Sequence, residues 1–294
     1  MKKSNARCRA VDLCVSVFLA AWALQAAAAT SVPTLFIAGD STASSYQDKP
    51  DRQQGWGAVL QPLFNEKKLR VVNAARGGRS SRTFVSEGHW EKMLAEVKAG
   101  DFVIIQFGHN DSGALNQEPP GSTRPLRARG TIPGIGNESE EIDNVVTGKH
   151  ETVYSFGWYL RKMIADTRAR GATPILMSLT ERNAWQDGRI ECPSDTYRLW
   201  DWQTAQNEKA AFVDLSRIIA DRYQREGAEA VTAQFINDTV HTNVAGAEKN
   251  AADAVSALKA LREFPFRKML SEKGRAVPAD QGSTKTSICP VLPR

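Results

Sequence analysis

The sequence predicts an α/β fold: a parallel sheet with helices on both faces. Two observations carry this. Five short runs rich in Val, Ile, Leu or Phe lack strict alternation, which is how a strand covered on both sides reads. Helical stretches lie between them, and alternating strands and helices imply parallel βαβ construction. Composition agrees. The 294 residues are 41% hydrophobic and 24% charged, values of an ordinary globular chain of one large domain or two small ones. They exclude a disordered, collagenous or coiled-coil chain. Four cysteines are too few for a disulfide scaffold. A mean hydropathy of -0.39, with one strongly apolar stretch, excludes a polytopic membrane protein.

That apolar stretch belongs to residues 1–29, which read as a signal peptide. Lys2, Lys3, Arg7 and Arg9 precede an apolar run over residues 13–29, and Ala27-Ala28-Ala29 fits the small-residue cleavage rule. The alternative is an uncleaved anchor, but the run is short for a span and ends in alanines. Cys14 lacks a lipobox setting, so soluble export to the periplasm or the medium is expected. Cleavage removes four of 38 basic residues and one of 33 acidic residues, leaving 34 against 32. The basic balance is then largely the signal's, with no case for nucleic acid and none for a membrane after cleavage. Cys192 and Cys289 remain, either as a disulfide or as two free thiols.

The elements follow in order. Residues 34–38 (TLFIA) form the first strand, 56–64 a helix, and 70–73 (RVVN) the second strand. A helix over 90–98 leads to the most apolar strand, 102–107 (FVIIQF). Residues 112–150 are a long loop rich in Gly, Pro and charge, a length usually functional or mobile. A helix over 154–170 places Tyr154, Trp158, Leu160, Ile164 and Ala165 near one face. Gly171 stops it and Pro174 opens a strand over 174–178 (PILMS). Strand 211–215 (AFVDL), helix 216–226 and an Ala-rich helix over 245–263 complete the body. Residues 265–294 read as a C-terminal tail that Cys289 would pin.

Three places carry candidate chemistry. Gly39-Asp40-Ser41 follows the first strand, where open α/β sheets bind ligands. Ser41 is a nucleophile if a base takes its proton, and a helix cap if none does. Asp238 and His241 are three residues apart, so a tight turn lets the carboxylate fix the imidazole tautomer and frees the other nitrogen as a base. Gly108-His109-Asn110-Asp111 follows the strongest strand, where the Asn110 amide is an oxyanion donor or part of a turn. Together they offer nucleophile, base, orienting acid and oxyanion donor, the parts of an acyl-transfer site. Their order, Ser then Asp then His, is that of the α/β-hydrolases, but the G-x-S-x-G elbow is absent.

Gly39-Asp40-Ser41, Gly78, Gly108-His109-Asn110 and Asp238-Thr239-Val240-His241 resemble the four blocks of the SGNH (GDSL) hydrolases. The resemblance spans residues 33–262. Flanking runs narrow it: GDSTA, GWG at 55–57, GGRSSRTF at 77–84, FGHND at 107–111, TERNAW at 180–185 and DTVHTN at 238–243 are similar to rhamnogalacturonan acetylesterases. The resemblance implies a three-layer α/β/α, flavodoxin-like fold with a five-stranded parallel sheet, and a catalytic domain over 30–264. It implies Ser41 as nucleophile, His241 as base, Asp238 as its orienter, and the backbone N–H groups of Ser41 and Gly78 with the Asn110 amide as oxyanion hole. It implies no metal or cofactor and an acetylated polysaccharide or oligosaccharide as substrate.

Arg79 and Arg82 follow Gly78, and guanidinium groups suit a galacturonate backbone; internal ion pairs are the alternative. His109 packs under the site, and His89 and His150 are surface residues. Trp185, Trp200 and Trp202 either stack on sugars or pack in the core. Two rivals stand: a lipase or aryl esterase on the same scaffold, and a glycan-binding protein without catalysis.

Overall fold

Five parallel strands form the central sheet: β1 (Thr34–Gly39), β2 (Arg70–Asn73), β3 (Phe102–Gln106), β6 (Thr173–Met177) and β9 (Ala211–Val213), in the order β2-β1-β3-β6-β9. The computed structural model describes residues 32–47, 52–123, 125–192 and 195–293. The expected signal peptide lies outside the described residues. The chain leaves β1 for one neighbour and then crosses to β3 on the other side. The C-terminal ends of β1 and β3 therefore form the switch point where such sheets bind ligands.

Each strand divides its apolar residues between two layers. Leu35, Ile37, Ile104, Ile175 and Met177 face one core, packed by α5 (Leu215–Glu226) and α7 (Val244–Ala260) through Leu215, Ile219, Tyr223, Ala251 and Leu258. Phe36, Ala38, Val103, Ile105 and Leu176 face the other. That core is filled by α1 (Ser81–Ser86), α2 (His89–Leu94), α3 (Phe156–Ala169) and α4 (Asp195–Glu208). Burial on both faces is why the strands read as unbroken apolar runs.

Several expectations need correction. Residues 56–64 form two 3-10 turns, Trp56–Val59 and Gln61–Leu63, not one helix. Pro62 has no N–H to donate, and the Leu63 N–H bonds the Leu60 carbonyl three residues back. Helix α3 starts at Phe156 because Ser155 caps it and Tyr154 belongs to a strand. Its buried row runs through Phe156, Leu160, Met163, Ile164 and Thr167, while Ala165 is exposed. The long loop is partly a hairpin, β4 (Ser139–Asp143) with β5 (His150–Tyr154). A second small hairpin pairs β7 (Trp185–Gln186) with β8 (Arg189–Ile190), and α6 (Ala228–Thr232) precedes the turn that carries Asp238.

The tail is ordered too. It forms α8 (Phe266–Met269) and α9 (Glu272–Ala276), and Phe266 and Leu270 join the first core. A disulfide links Cys192 to Cys289 across 97 positions of sequence.

Candidate active site

Ser41 sits in the turn that leaves β1. The Asp40 carboxylate accepts from the Thr42 N–H and hydroxyl, both at 2.8 Å, and so shapes that turn. The Ser44 N–H closes it on the Asp40 carbonyl. Gly55 and Gly57 lie against the same turn. A Cβ at Gly55 would meet the Ser44 backbone at 2.5 Å, and one at Gly57 would meet the Ala43 carbonyl oxygen at 2.7 Å. The GWG run thus packs its backbone on the serine turn, where no larger residue fits.

Two hundred residues later the chain returns to Ser41. His241 Nε2 lies 2.9 Å from Ser41 Oγ, and His241 Nδ1 lies 2.6 Å from Asp238 Oδ2. The second oxygen of Asp238 accepts from the backbone N–H groups of Val240 and His241 at 2.8 and 2.7 Å. Burial works against the Asp238 charge, but these bonds and the His241 ring outweigh it and hold the carboxyl below the usual carboxylate range. A carboxylate so placed keeps the proton on Nδ1 and leaves Nε2 free to accept one.

Ser41, Gly78, Asn110 and His241 line one cleft of about 640 Å³. Gly78 has φ +76°, a left-handed conformation open mainly to glycine. Asn110 follows β3, and its amide donates to the Arg79 carbonyl at 2.8 Å, tying the β3 turn to the Gly78 turn. Behind it, Asp111 accepts from the Ser81 N–H and hydroxyl at the start of α1. Burial, opposed by those bonds, pushes the Asp111 carboxyl up to about 7.

The other singled-out residues separate sharply. Arg79 lines the cleft, but its Nε pairs with Glu87 at 2.8 Å and it also bonds the Gly77 carbonyl. Arg82 is fully buried, so its expected place against substrate is corrected. It grips Glu151 with two nitrogens and bonds the carbonyls of Leu115 and Gly130. His109 bonds the Thr180 hydroxyl at 3.3 Å, and desolvation holds its pKa below the ordinary imidazole value. His150 is exposed beside Asp143 and Glu141, whereas His89 is half-buried, bonded to Glu87 and against Phe84. Trp200 packs on Phe156 and Tyr197 in the core, and Trp185 donates to Asn183. Trp202, half-buried, lines a separate surface pocket with Val291 and Pro293. Sequence reading missed Tyr46, Glu87, Leu126, Arg127, Arg129 and Val146, which line the same cleft. No local pattern marks them, since four lie in the featureless segment after β3.

Comparison with known proteins places this geometry among relatives. The model of the GDSL-like lipase/acylhydrolase family matches residues 37–249. The rhamnogalacturonan acetylesterase of Emericella nidulans is 30% identical over 213 residues, covering 72% of this chain and 79% of that protein. The "Probable rhamnogalacturonan acetylesterase YesY" of Bacillus subtilis is 30% identical over 232 residues, covering 77% and 93%. The crystal structure of protein YxiM from Bacillus subtilis aligns with a TM-score of 0.61 at 26% identity. The alignment covers 79% of this chain and 58% of that one, so this chain spans little more than half of it.

Proposed function

Starting from a chain that belongs to the GDSL-like lipase/acylhydrolase family and is a carboxylic ester hydrolase, we propose that it removes O-acetyl groups from pectic rhamnogalacturonan. The observation that carries the reading is the unbroken line from Asp238 through His241 to Ser41 Oγ, opening into a cleft that also holds Gly78 and Asn110. Two relatives whose names specify rhamnogalacturonan acetylesterase support the substrate.

The chemistry runs as acyl transfer. Ser41 Oγ attacks the acetyl carbonyl carbon while His241 Nε2 takes the hydroxyl proton. Ionised Asp238 stabilises the imidazolium through Nδ1. The developing oxyanion takes hydrogen bonds from the backbone N–H groups of Ser41 and Gly78 and from the Asn110 amide. Removal of one such donor costs roughly 10²–10³ in rate. His241 returns its proton to the departing sugar oxygen, leaving acetyl-Ser41. Water, deprotonated by the same imidazole, attacks the acetyl-enzyme, and acetate leaves as Ser41 regains its proton.

We place this activity outside the cytoplasm. The patterning of residues 1–29 supports export, and the Cys192–Cys289 disulfide suits an oxidising compartment. The test is acetate release from acetylated rhamnogalacturonan, beside acetylated xylan and p-nitrophenyl esters of increasing chain length, with Ser41→Ala as control. Release from the pectic polymer that Ser41→Ala abolishes is the expected result. Activity confined to longer acyl chains would move the enzyme to the lipases, and no Ser41-dependent release from any ester would leave a binding protein.

A further inference from the structure

We infer that Arg127 and Arg129 form a carboxylate-reading wall beside Ser41, selecting substrates with a uronate carboxyl next to the acetyl ester. This rests on the substrate reading above and gives it a physical cause. The positive charges of the cleft are not equivalent. Arg79 is already paired with Glu87, and Arg82 with Glu151. Arg127 is exposed in the cleft and has no hydrogen-bond or ion-pair partner among the described residues. Arg129 is half-buried and spends one nitrogen on the Gly78 carbonyl at 3.1 Å. A guanidinium has five N–H donors, so most of its donors remain for a ligand.

The two guanidinium groups converge. The point a Cβ on Gly78 would occupy lies 3.6 Å from a terminal nitrogen of each. That point adjoins the oxyanion donor, so the wall faces the reacting ester. Two like charges held this close repel, and desolvation together with Arg127 lowers the pKa of Arg129. An anion seated between them relieves that repulsion and is gripped by two forks of donors. A galacturonate ring carries its carboxylate and its acetylated hydroxyls on one sugar, one ring width apart. A neutral xylose ring has no such group.

The backbone that carries the wall is fixed in advance of any ligand. Ala128, between the two arginines, is buried with φ +43°. The Gly130 N–H bonds the Ala114 carbonyl at 2.8 Å, and the Thr131 N–H bonds the Asp111 carbonyl at 3.1 Å. Arg82 holds the Gly130 carbonyl from below at 2.9 Å. A fixed backbone leaves only the side chains to be ordered when a ligand arrives.

The experiment crosses four enzymes with two substrates. Acetylated rhamnogalacturonan oligosaccharides are compared with the same material after carboxyl reduction, using wild type, Arg127→Gln, Arg127→Lys and Ser41→Ala. The expected result is that wild type prefers the native substrate and that added salt weakens this preference. Arg127→Gln lowers kcat/KM on native oligosaccharides roughly 10- to 100-fold, mainly through KM, with a much smaller loss on reduced ones. Arg127→Lys recovers part of the native activity, since charge remains without the fork. Equal losses on both substrates would overturn the inference, as would a wild type indifferent to carboxyl reduction. In that last case Ser41-dependent release from both substrates would leave the pectic reading intact. No Ser41-dependent release from either would sink both.

Discussion

Two stretches to which the sequence assigns no helix or strand, residues 112–153 and 265–293, are held in different ways among their described residues. The first is held by charge and hydrogen bonds: Arg82 grips Glu151 and two carbonyls, and Asp111 binds the Thr131 N–H. The second adds apolar burial and a covalent link to its own polar bonds: Phe266 and Leu270 enter the core, Cys289 is joined to Cys192, Arg217 pairs with Asp280, and Arg198 bonds the Pro290 carbonyl. The first walls the cleft with Leu126, Arg127, Arg129 and Val146, whereas no described residue of the tail lines it. Polar anchoring sets positions to within a hydrogen bond, which a binding wall needs. The tail's apolar residues and disulfide close a core away from the cleft, where small shifts are tolerated. Damage to the first stretch should therefore reach activity, and damage to the second should reach stability alone.

The largest expected effect comes from Arg82→Met. It takes the cation from Glu151, which keeps the Asn144 amide, and leaves the carbonyls of Leu115 and Gly130 without their Arg82 donor. Breaking one side of a buried ion pair costs about 3–5 kcal/mol, which lowers the thermal midpoint by on the order of 10 °C. Acetate release measured well below that midpoint should fall as well, because the carbonyl that steadies the Arg129 segment is freed. A destabilised variant with wild-type kinetics would detach the anchor from the cleft. Next is Cys192→Ser with Cys289→Ser. Opening a loop of 97 positions costs about 2–5 kcal/mol, read as a lower thermal midpoint. Here kcat/KM at 25 °C should stay within about two-fold of wild type. A large kinetic loss would show that the tail reaches the site after all.

Asp111, at the entry to the first stretch, gives a smaller and pH-dependent effect. Burial, partly opposed by Ser81, raises its folded pKa from 3.8 to about 7. Between those values the folded protein binds more protons than the unfolded chain, so stability falls as pH rises through that window and levels off above it. Across the part of that window from pH 5 to pH 7, about two pKa units at about 1.4 kcal/mol each, the loss is at most about 3 kcal/mol. Asp111→Asn cannot ionise, so its thermal midpoint should drop less than that of wild type between pH 5 and pH 8. Parallel curves for the two proteins would remove Asp111 as the cause.

The same contrast explains what the sequence could and could not reveal. Strands β1, β3 and β6 were legible because both of their faces are buried, so their apolar runs need no knowledge of their neighbours. Asp238 and His241 were legible because three residues of local chain bring them together. Arg79 and Arg82 look alike in sequence, yet α1 begins between them at Ser81, with Ser80 as its cap. Arg79 thus stays in the cleft, and Arg82 turns inward on the helix. The helix start does not show what Arg82 meets there; Glu151, 69 positions later, does. Arg127 and Arg129 were invisible for the same reason, since their place depends on Arg82, Asp111 and the backbone of residues 113–114. The 56–64 helix failed on a local signal that outweighed its apolar pattern, Pro62 within and the close approach of Gly57 to the Ala43 carbonyl.

The smallest effect tests the comparison most narrowly, through two exposed valines. Val146 in the first stretch is 54% exposed and Val291 in the tail is 67% exposed. Neither contributes a fully buried side chain, so Val→Ser at each should change stability by no more than about 0.5 kcal/mol. Only Val146 lines the cleft. An exposed apolar side chain at a polar cleft offers a sugar face or methyl group a contact worth about 0.8 kcal/mol per buried CH₂. Val146→Ser should therefore raise KM for the polymer roughly three- to ten-fold, with kcat little changed, since the contact lies away from the reacting atoms. Val291→Ser should leave both constants at wild-type values. Equal kinetics in the two variants would show that the hairpin side of the cleft does not touch substrate, and would confine recognition to the arginine wall and the Gly78 turn.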